Sequence, residues 1–291
     1  MRVFCDWLDV TFAPTDCPYP ELNRLLLDAG YAVLFSDGSA FGYAPPEPAH
    51  GSLQVKHCSR WARVSVSGGA CSHLQQAGLW MEFLSVLSSS PHKVTRLDAA
   101  LDLAMDGADL VAAMRDRYAS GSCSLGRKSI PTSVMLNVRP DGRETGTWYA
   151  GHRTRARTTA RVYDKAWEML QKCGAELPPT ARVEVTGREG TGVTLRDAAE
   201  PAGFFWSVAS PAILNAPEGS PVFTPNTDLG WTAPPREFDP AALLRRRVEA
   251  LAELDALLLV ADDMGPSGRD YLLHLVQRRL AATATPDQAV A

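Results

Sequence analysis

The segment from Val94 to Asp106, VTRLDAALDLAMD, constrains the fold more than any other. Side chains of an extended chain alternate between two faces. Leu97, Ala99, Leu101 and Leu103 therefore share one face, and Arg96, Asp98, Ala100 and Asp102 share the other. A helix would also bring Asp98 and Asp102 together. The β-branched start and the polar/apolar alternation favour a strand that belongs in a sheet with one apolar side.

Other segments repeat that pattern. Residues 2–12 alternate Leu8, Val10 and Phe12 with Trp7, Asp9 and Thr11. A hairpin is expected at 31–43 with Asp37-Gly38 at its turn, then strands at 52–57 and 61–67 closed by Gly68-Gly69. A second hairpin follows at 133–152 around Pro140-Asp141-Gly142. TARVYDK and TARVEVTGR (180–188) read as two more strands. Helices are expected at 21–29, from about Ser72 to Leu87, at 108–119, at 166–173 and around 194–210, with loops at 44–51 and 122–131. The fold class is α+β, built on an antiparallel sheet, and the order of elements suggests two pseudo-symmetric α+β halves.

Four regions follow from composition. Residues 1–215 form the main domain. Residues 216–238, rich in Pro, Gly and Thr, read as a linker or arm. Asp239-Pro240 opens a leucine-bearing helix, and Ser267 with Asp270 a second, so 239–281 is expected to be a C-terminal helical hairpin. Residues 282–291 are expected to be a disordered tail.

With 291 residues, 45% hydrophobic and 21% charged, the chain has the composition of a globular protein. No apolar run reaches the ~18 residues of a membrane span, so no membrane partner is expected. The N-terminal run MRVFCDWLDVTF carries acidic residues and no small-residue cleavage site, unlike a signal peptide. Six cysteines are scattered without a CxxC pair, which points to reduced thiols and a cytoplasmic setting. The net charge of −4 argues against a wholly basic surface, but residues 139–165 carry a local charge of +4.

Three strands bring polar side chains to one face: Asp98 with Asp102, Arg161 with Tyr163 and Lys165, and Arg182 with Glu184. A tyrosine between Arg161 and Lys165 sits in a positive field, expected to favour its phenolate and to attract a phosphate. Neighbouring carboxylates suit a hard divalent cation. Those parts together suit tyrosine attack on a phosphodiester. Singly, each has a plainer explanation. A strand tyrosine is usually a packing residue, Arg96 is an obvious partner for the aspartates, and Arg182 with Glu184 reads as a cross-strand ion pair. Trp148, Tyr149, His152, Arg155 and Arg157 mix rings and cations in a way that suits single-stranded DNA. Trp7, Trp61, Trp80 and the Phe204–Trp206 cluster are expected in the core.

The motifs in this order resemble the replication initiation factor (Rep-trans-like) family of rolling-circle plasmids and filamentous phages. The pieces are DWLDVTF (6–12), TRLDAALDL (95–103), WYAGHRTRARTTARVYDKAWE (148–168) and ARVEVTGR (181–188), within residues 3–210. The resemblance implies a divalent-metal-dependent (Mg or Mn) enzyme that nicks and rejoins origin DNA through a covalent 5′-phosphotyrosine. It implies Tyr163 as nucleophile with Lys165 beside it in the catalytic set, and Asp98, Asp102 and Glu184 as metal ligands. Arg153, Arg155, Arg157, Arg161 and Arg182 would contact DNA. His152 departs from the family's Ser at the turn, and Tyr149 is a competing nucleophile. Implied partners are double- and single-stranded origin DNA, a helicase, a polymerase and a second copy in a homodimer, in the cytoplasm of a bacterial host. Two alternatives stay open: a non-catalytic DNA-binding regulator or single-strand binder with the same fold, and a metal-dependent phosphodiesterase that uses water.

Overall fold

The structure is a computed structural model and describes residues 2–36, 40–47, 50–121, 132–152 and 156–227, with Asp270, Leu273, His274 and Gln277 beyond them. The chain divides into two compact units, Met1–Pro234 and Pro235–Ala291. The first unit runs β1 (Phe4–Phe12), α1 (Tyr19–Asp28), β2 (Ala32–Ser36), β3 (Ala40–Ala44), β4 (Leu53–Cys58), β5 (Trp61–Val66), α2 (Gly68–Gln76), α3 (Trp80–Ser88) and β6 (His92–Leu103). It continues with α4 (Gly107–Ala119), β7 (Thr132–Val138), β8 (Glu144–Ala150), β9 (Thr158–Asp164), α5 (Lys165–Cys173), β10 (Ala181–Arg188), α6 (Leu195–Ala199) and α7 (Ala202–Ala209).

The ten strands among the described residues form one antiparallel sheet in the order β2-β3-β4-β5-β1-β6-β10-β9-β8-β7. The expected pseudo-symmetry is visible in that order. The half β1-β5-β4-β3-β2 and the half β6-β10-β9-β8-β7 repeat one arrangement, joined across the β1–β6 pair. Period-two alternation sorts the sheet into two faces. Leu8, Val10, Leu53, Val55, Val64, Leu97, Leu101, Val162, Val183 and Val185 are fully buried on one face. They join a single core with Leu22 and Leu26 of α1, Leu74 of α2, Phe83 and Leu87 of α3, Met114 of α4 and Phe204 and Phe205 of α7. The other face holds Asp9 of β1, Arg96, Asp98 and Asp102 of β6, Arg161 of β9, and Arg182 and Glu184 of β10.

Several expectations change. The single helix expected from Ser72 to Leu87 is two, α2 and α3. Gly78 has φ +74°, and Leu79 N–H donates to Leu74 O while Gly78 N–H donates to Gln75 O. That pair of bonds is a Schellman stop, which a residue with a Cβ adopts only under strain. Gly68 and Gly69 open α2 instead of closing the preceding hairpin. Trp7 and Trp61 are half-buried on the charged face, under Arg96 and Arg63 respectively, whereas Trp80 and Phe204 are core as expected. Five of the six cysteines are described, and all five are free thiols. Residues 216–227 form neither helix nor strand, while 228–238 lie outside the described residues. The expected turn at 37–38, the loop at 122–131, the helical region 239–281 and the tail 282–291 also lie outside them, except for Asp270, Leu273, His274 and Gln277, which are helical. Among the described residues no helix is long and apolar enough to cross a membrane.

Candidate active site

Three adjacent strands of the second half, β6, β10 and β9, set the site. Arg182 lies opposite both Asp102 on β6 and Tyr163 on β9, and Glu184 lies opposite Ala100 and Arg161. The five polar side chains, Asp102, Arg161, Tyr163, Arg182 and Glu184, therefore share one face within a single cross-strand step. Asp98 lies opposite Thr186, diagonal to Glu184 on that face.

Each carboxylate is gripped by a guanidinium. Arg96 donates to both oxygens of Asp98, from Nε at 3.0 Å and from Nη2 at 2.5 Å. Arg182 donates Nε to Asp102 Oδ1 at 2.5 Å, Nη2 to Asp102 Oδ2 at 2.8 Å and Nη1 to Asp6 Oδ1 at 2.9 Å. Arg161 donates Nη2 to Glu184 Oε2 at 2.5 Å, and Tyr163 Oη donates to the same oxygen at 3.4 Å. Glu184 Oε1 has no hydrogen-bond partner although it is buried. Asp98 and Glu184 are each only 1% exposed, and Tyr163 5%. The cluster thus holds four carboxylates (Asp6, Asp98, Asp102, Glu184) against three guanidiniums (Arg96, Arg161, Arg182).

Burial decides the protonation states. Removal from water is the largest cause raising the Glu184 pKa, and the negative charges of Asp98 and Asp6 add to it, so that it rises to about 8 despite Arg161. Burial, then Glu184, also raises Tyr163 well above the ordinary phenol, with Arg182 and Arg161 opposing. This corrects the expectation of a phenolate. The arginines are spent on carboxylates and do not outweigh desolvation, so the hydroxyl keeps its proton and hands it toward Glu184. Arg161 and Lys165 do flank the ring, 5.1 Å and 6.0 Å from its centre.

A second polar network holds Tyr163 from behind. Asp164 points to the helical side, where its carboxylate accepts from Arg139, from Thr145 Oγ1 at 2.6 Å and from Trp167 N at 3.0 Å. The last bond caps the N-terminus of α5. Arg139 also binds Asp106, the N-cap of α4, and holds that carboxyl below its ordinary value. Gly107 packs on Asp164 so closely that a Cβ there would lie 2.3 Å from the Asp164 Cα. One residue, then, ties β9, the β7–β8 hairpin and two helix starts together directly after the tyrosine.

The sequence-derived set divides as follows. Tyr163, Glu184, Arg161, Arg182 and Asp102 come together, and Asp98 joins them diagonally. Lys165 is the first residue of α5 and is paired with Glu168 at 2.7 Å. Arg157 is exposed, its guanidinium next to the turn at Gly190. Arg153 and Arg155 lie outside the described residues. The expected Arg182–Glu184 ion pair is not formed, because Arg182 turns to Asp102 and Asp6, leaving Glu184 to Arg161. The aspartate floor expected to be open is clamped by arginines instead. Trp148 is fully buried on the core face and cannot stack on a base. Asp6 was missed because a bulge between Cys5 and Trp7 turns it out of the simple alternation. Arg139 and Asp106 were missed because nothing local signals a bond to a residue some 25 positions or more away.

Among the described residues no three His, Cys, Asp or Glu side chains converge as a metal site. The donor chemistry nevertheless fits a hard cation. Glu184 Oε1 is buried and accepts no hydrogen bond, although Arg161 Nη2 lies 2.5 Å away as an ion pair, and the cluster has one carboxylate more than it has guanidiniums.

No protein-family model matches the chain, and no curated protein matches it. Among solved structures, a rolling circle replication initiator protein from Geobacillus stearothermophilus is similar at 19% identity. That match covers 64% of this chain and 74% of the other, with a TM-score of 0.44. The di-domain ARO/CYC BexL from the BE-7585A biosynthetic pathway is similar at 15% identity, over 73% of this chain and 96% of the other, with a TM-score of 0.23. At these levels neither similarity assigns an activity to this chain.

Proposed function

We propose that this chain is a rolling-circle replication initiator that nicks and rejoins origin DNA through Tyr163. The observation that carries the reading is the hydrogen bond from Tyr163 Oη to Glu184 Oε2, inside a buried cluster of arginines and carboxylates. Any buried phenol needs an acceptor for its hydroxyl; what favours a nucleophile is that the acceptor here is a carboxylate, which can take up the proton as well as bind it. The family motifs fall on the same residues.

In this reading Glu184 acts in its carboxylate form, which its raised pKa of about 8 makes available as pH rises, and the phenol oxygen attacks the scissile phosphorus as its proton passes to that carboxylate. The bond from phosphorus to the 3′ oxygen breaks, and that oxygen takes up a proton from solvent and becomes the primer end for a polymerase. The 5′ end stays on Tyr163 until a 3′ hydroxyl reverses the step. Arg161 and Arg182 already lie beside the ring and exchange part of their carboxylate contacts for phosphate oxygens. Lys165 adds positive charge at the start of α5. Exposed Arg157, together with Arg153 and Arg155, follows the flanking strand. Asp98, Glu184 and Asp102 would hold Mg or Mn, which when bound supplies positive charge to the phosphate oxygens. Origin DNA, in duplex and single-stranded form, is the substrate. A helicase, a polymerase and a second copy are its partners in the cytoplasm of a bacterial host.

The metal part has a test that does not need turnover. Free Mn²⁺ is followed by its paramagnetic resonance signal as the chain is added. The signal is expected to fall with the wild type and to persist with Asp98→Asn and Glu184→Gln. Equal loss of signal in all three removes these carboxylates from the metal site.

A further inference from the structure

A cavity of about 420 Å³ opens beside the cluster, lined by Arg2, Phe4, Ser72, Gln76, Asp102 and Arg182. Its volume is within the range of small-molecule sites, roughly 300–1,000 Å³. It lies one strand beyond the tyrosine. Arg182 is paired in register with Tyr163 on one side and bridges Asp102 and Asp6 on the other.

The lining has a definite chemistry. Phe4 presents an aromatic ring, and the Arg182 guanidinium sits 5.0 Å from its centre. Ser72 and Gln76 of α2 offer a hydroxyl and an amide, and Arg2 offers a cation. None of these three makes a hydrogen bond or ion pair among the described residues. Gln75, which also lines the cavity, is fixed by donating Nε2 to Cys5 O at 2.8 Å, so the α2 wall is anchored to β1. An aromatic face, an amide and a hydroxyl for hydrogen bonding, and a cation at the rim match one unstacked nucleotide: base on ring, base edge on amide, phosphate on arginine.

We infer that this cavity holds a single nucleobase of the DNA strand, splayed out next to the phosphate presented to Tyr163. The inference rests on the proposed nicking site for its placement but not for its binding chemistry. A base held here fixes which phosphate reaches the tyrosine, because Arg182 belongs to both sites.

Photocrosslinking tests it without knowledge of the origin. The full chain is irradiated with single-stranded oligonucleotides containing 5-iododeoxyuridine, and adducts are mapped by mass spectrometry. The expected result is an adduct on Phe4 or within residues 72–76, in the wild type and in Tyr163→Phe alike. Gln76→Glu, on an exposed helical position, should lower oligonucleotide affinity by about fivefold or more, since base stacking and edge contacts are worth ~1–3 kcal/mol. Phe4→Ala should do the same while keeping the wild-type melting profile. Competition by a free mononucleotide at millimolar concentration would assign the site to the nucleotide itself, and protection only by oligonucleotide to a base within a strand. Both outcomes keep a nucleotide in the cavity, and the second alone supports the placement next to the scissile phosphate. Crosslinks confined to other regions, with unchanged affinity in Gln76→Glu, overturn the inference. If crosslinks appear here but no covalent phosphotyrosine forms in the wild type, the nicking reading fails and the pocket stands.

Discussion

The two halves of the sheet share a strand order and differ in what their polar faces carry. In the first half, β4 and β5 are joined by a two-residue turn and present Gln54, Lys56, Arg63 and Ser65. In the second, β9 and β10 occupy the corresponding places and present Arg161, Tyr163, Arg182 and Glu184. Here the connection is not a turn but α5, whose N-cap is Asp164. Lys56 is exposed, while Tyr163 and Glu184 are buried. The same scaffold therefore appears twice, and only the copy with the inserted helix and its capping network buries a tyrosine against a carboxylate. The burial of a tyrosine against a carboxylate thus follows from the inserted helix and its anchoring network more than from strand order.

The comparison breaks first at Glu184. Glu184→Gln keeps shape and burial but removes the proton acceptor, and above about pH 8, where the carboxyl is ionised, is expected to slow covalent adduct formation by about 10²–10⁴-fold. A rate within threefold of the wild type, in a gel assay of radiolabelled DNA bound to protein, would falsify its role. Asp164→Ala comes next. It strips one of the two carboxylate partners from Arg139 and uncaps α5, and should destabilise the chain by about 3–5 kcal/mol in urea unfolding. Lys56→Ala in the first half should leave stability unchanged, and a loss comparable to that of Asp164→Ala would erase the contrast.

A pH series sharpens the contrast further. In the folded chain Glu184 holds its proton up to about 8, against an ordinary value of 4.5. Between those values the folded state binds a proton that the unfolded state has released, so stability falls as pH rises across the window. In EDTA, the melting temperature of the wild type should decline from pH 5 to pH 8 more steeply than that of Glu184→Gln. Parallel curves would show that Glu184 is not perturbed. The smallest effect is expected from Lys56 itself. If the first half only tracks DNA, Lys56→Ala should weaken oligonucleotide binding a few-fold and lower the salt slope by about one, with no change in the rate of adduct formation once bound.

Much of this contrast was legible in the sequence, for a physical reason. Period-two alternation is local, so Leu97 against Asp98, or Val183 against Glu184, announces its face without knowledge of the fold. The pairing of charges is not local. Arg182 might have met Glu184 two residues away, but the register sets it against Asp102 and Tyr163, and a bulge brings Asp6 to its third nitrogen. The sign of the tyrosine's shift was misread for the same reason. The arginines were visible, but the burial of Tyr163 and the carboxylates that consume their charge are properties of the assembled sheet. Gly78 was visible as well, yet its stop within an apolar, helix-like run depends on the bonds at Leu74 and Gln75.

The central claim concerns one oxygen atom. The most direct measurement incubates the full chain with Mn²⁺ and supercoiled DNA carrying its origin, digests the DNA, and locates any residual nucleotide on the protein by mass spectrometry. The result expected is a nucleotide on Tyr163, absent from Tyr163→Phe and present in Tyr149→Phe. A nucleotide on Tyr149, or nicking that continues in Tyr163→Phe, would contradict it.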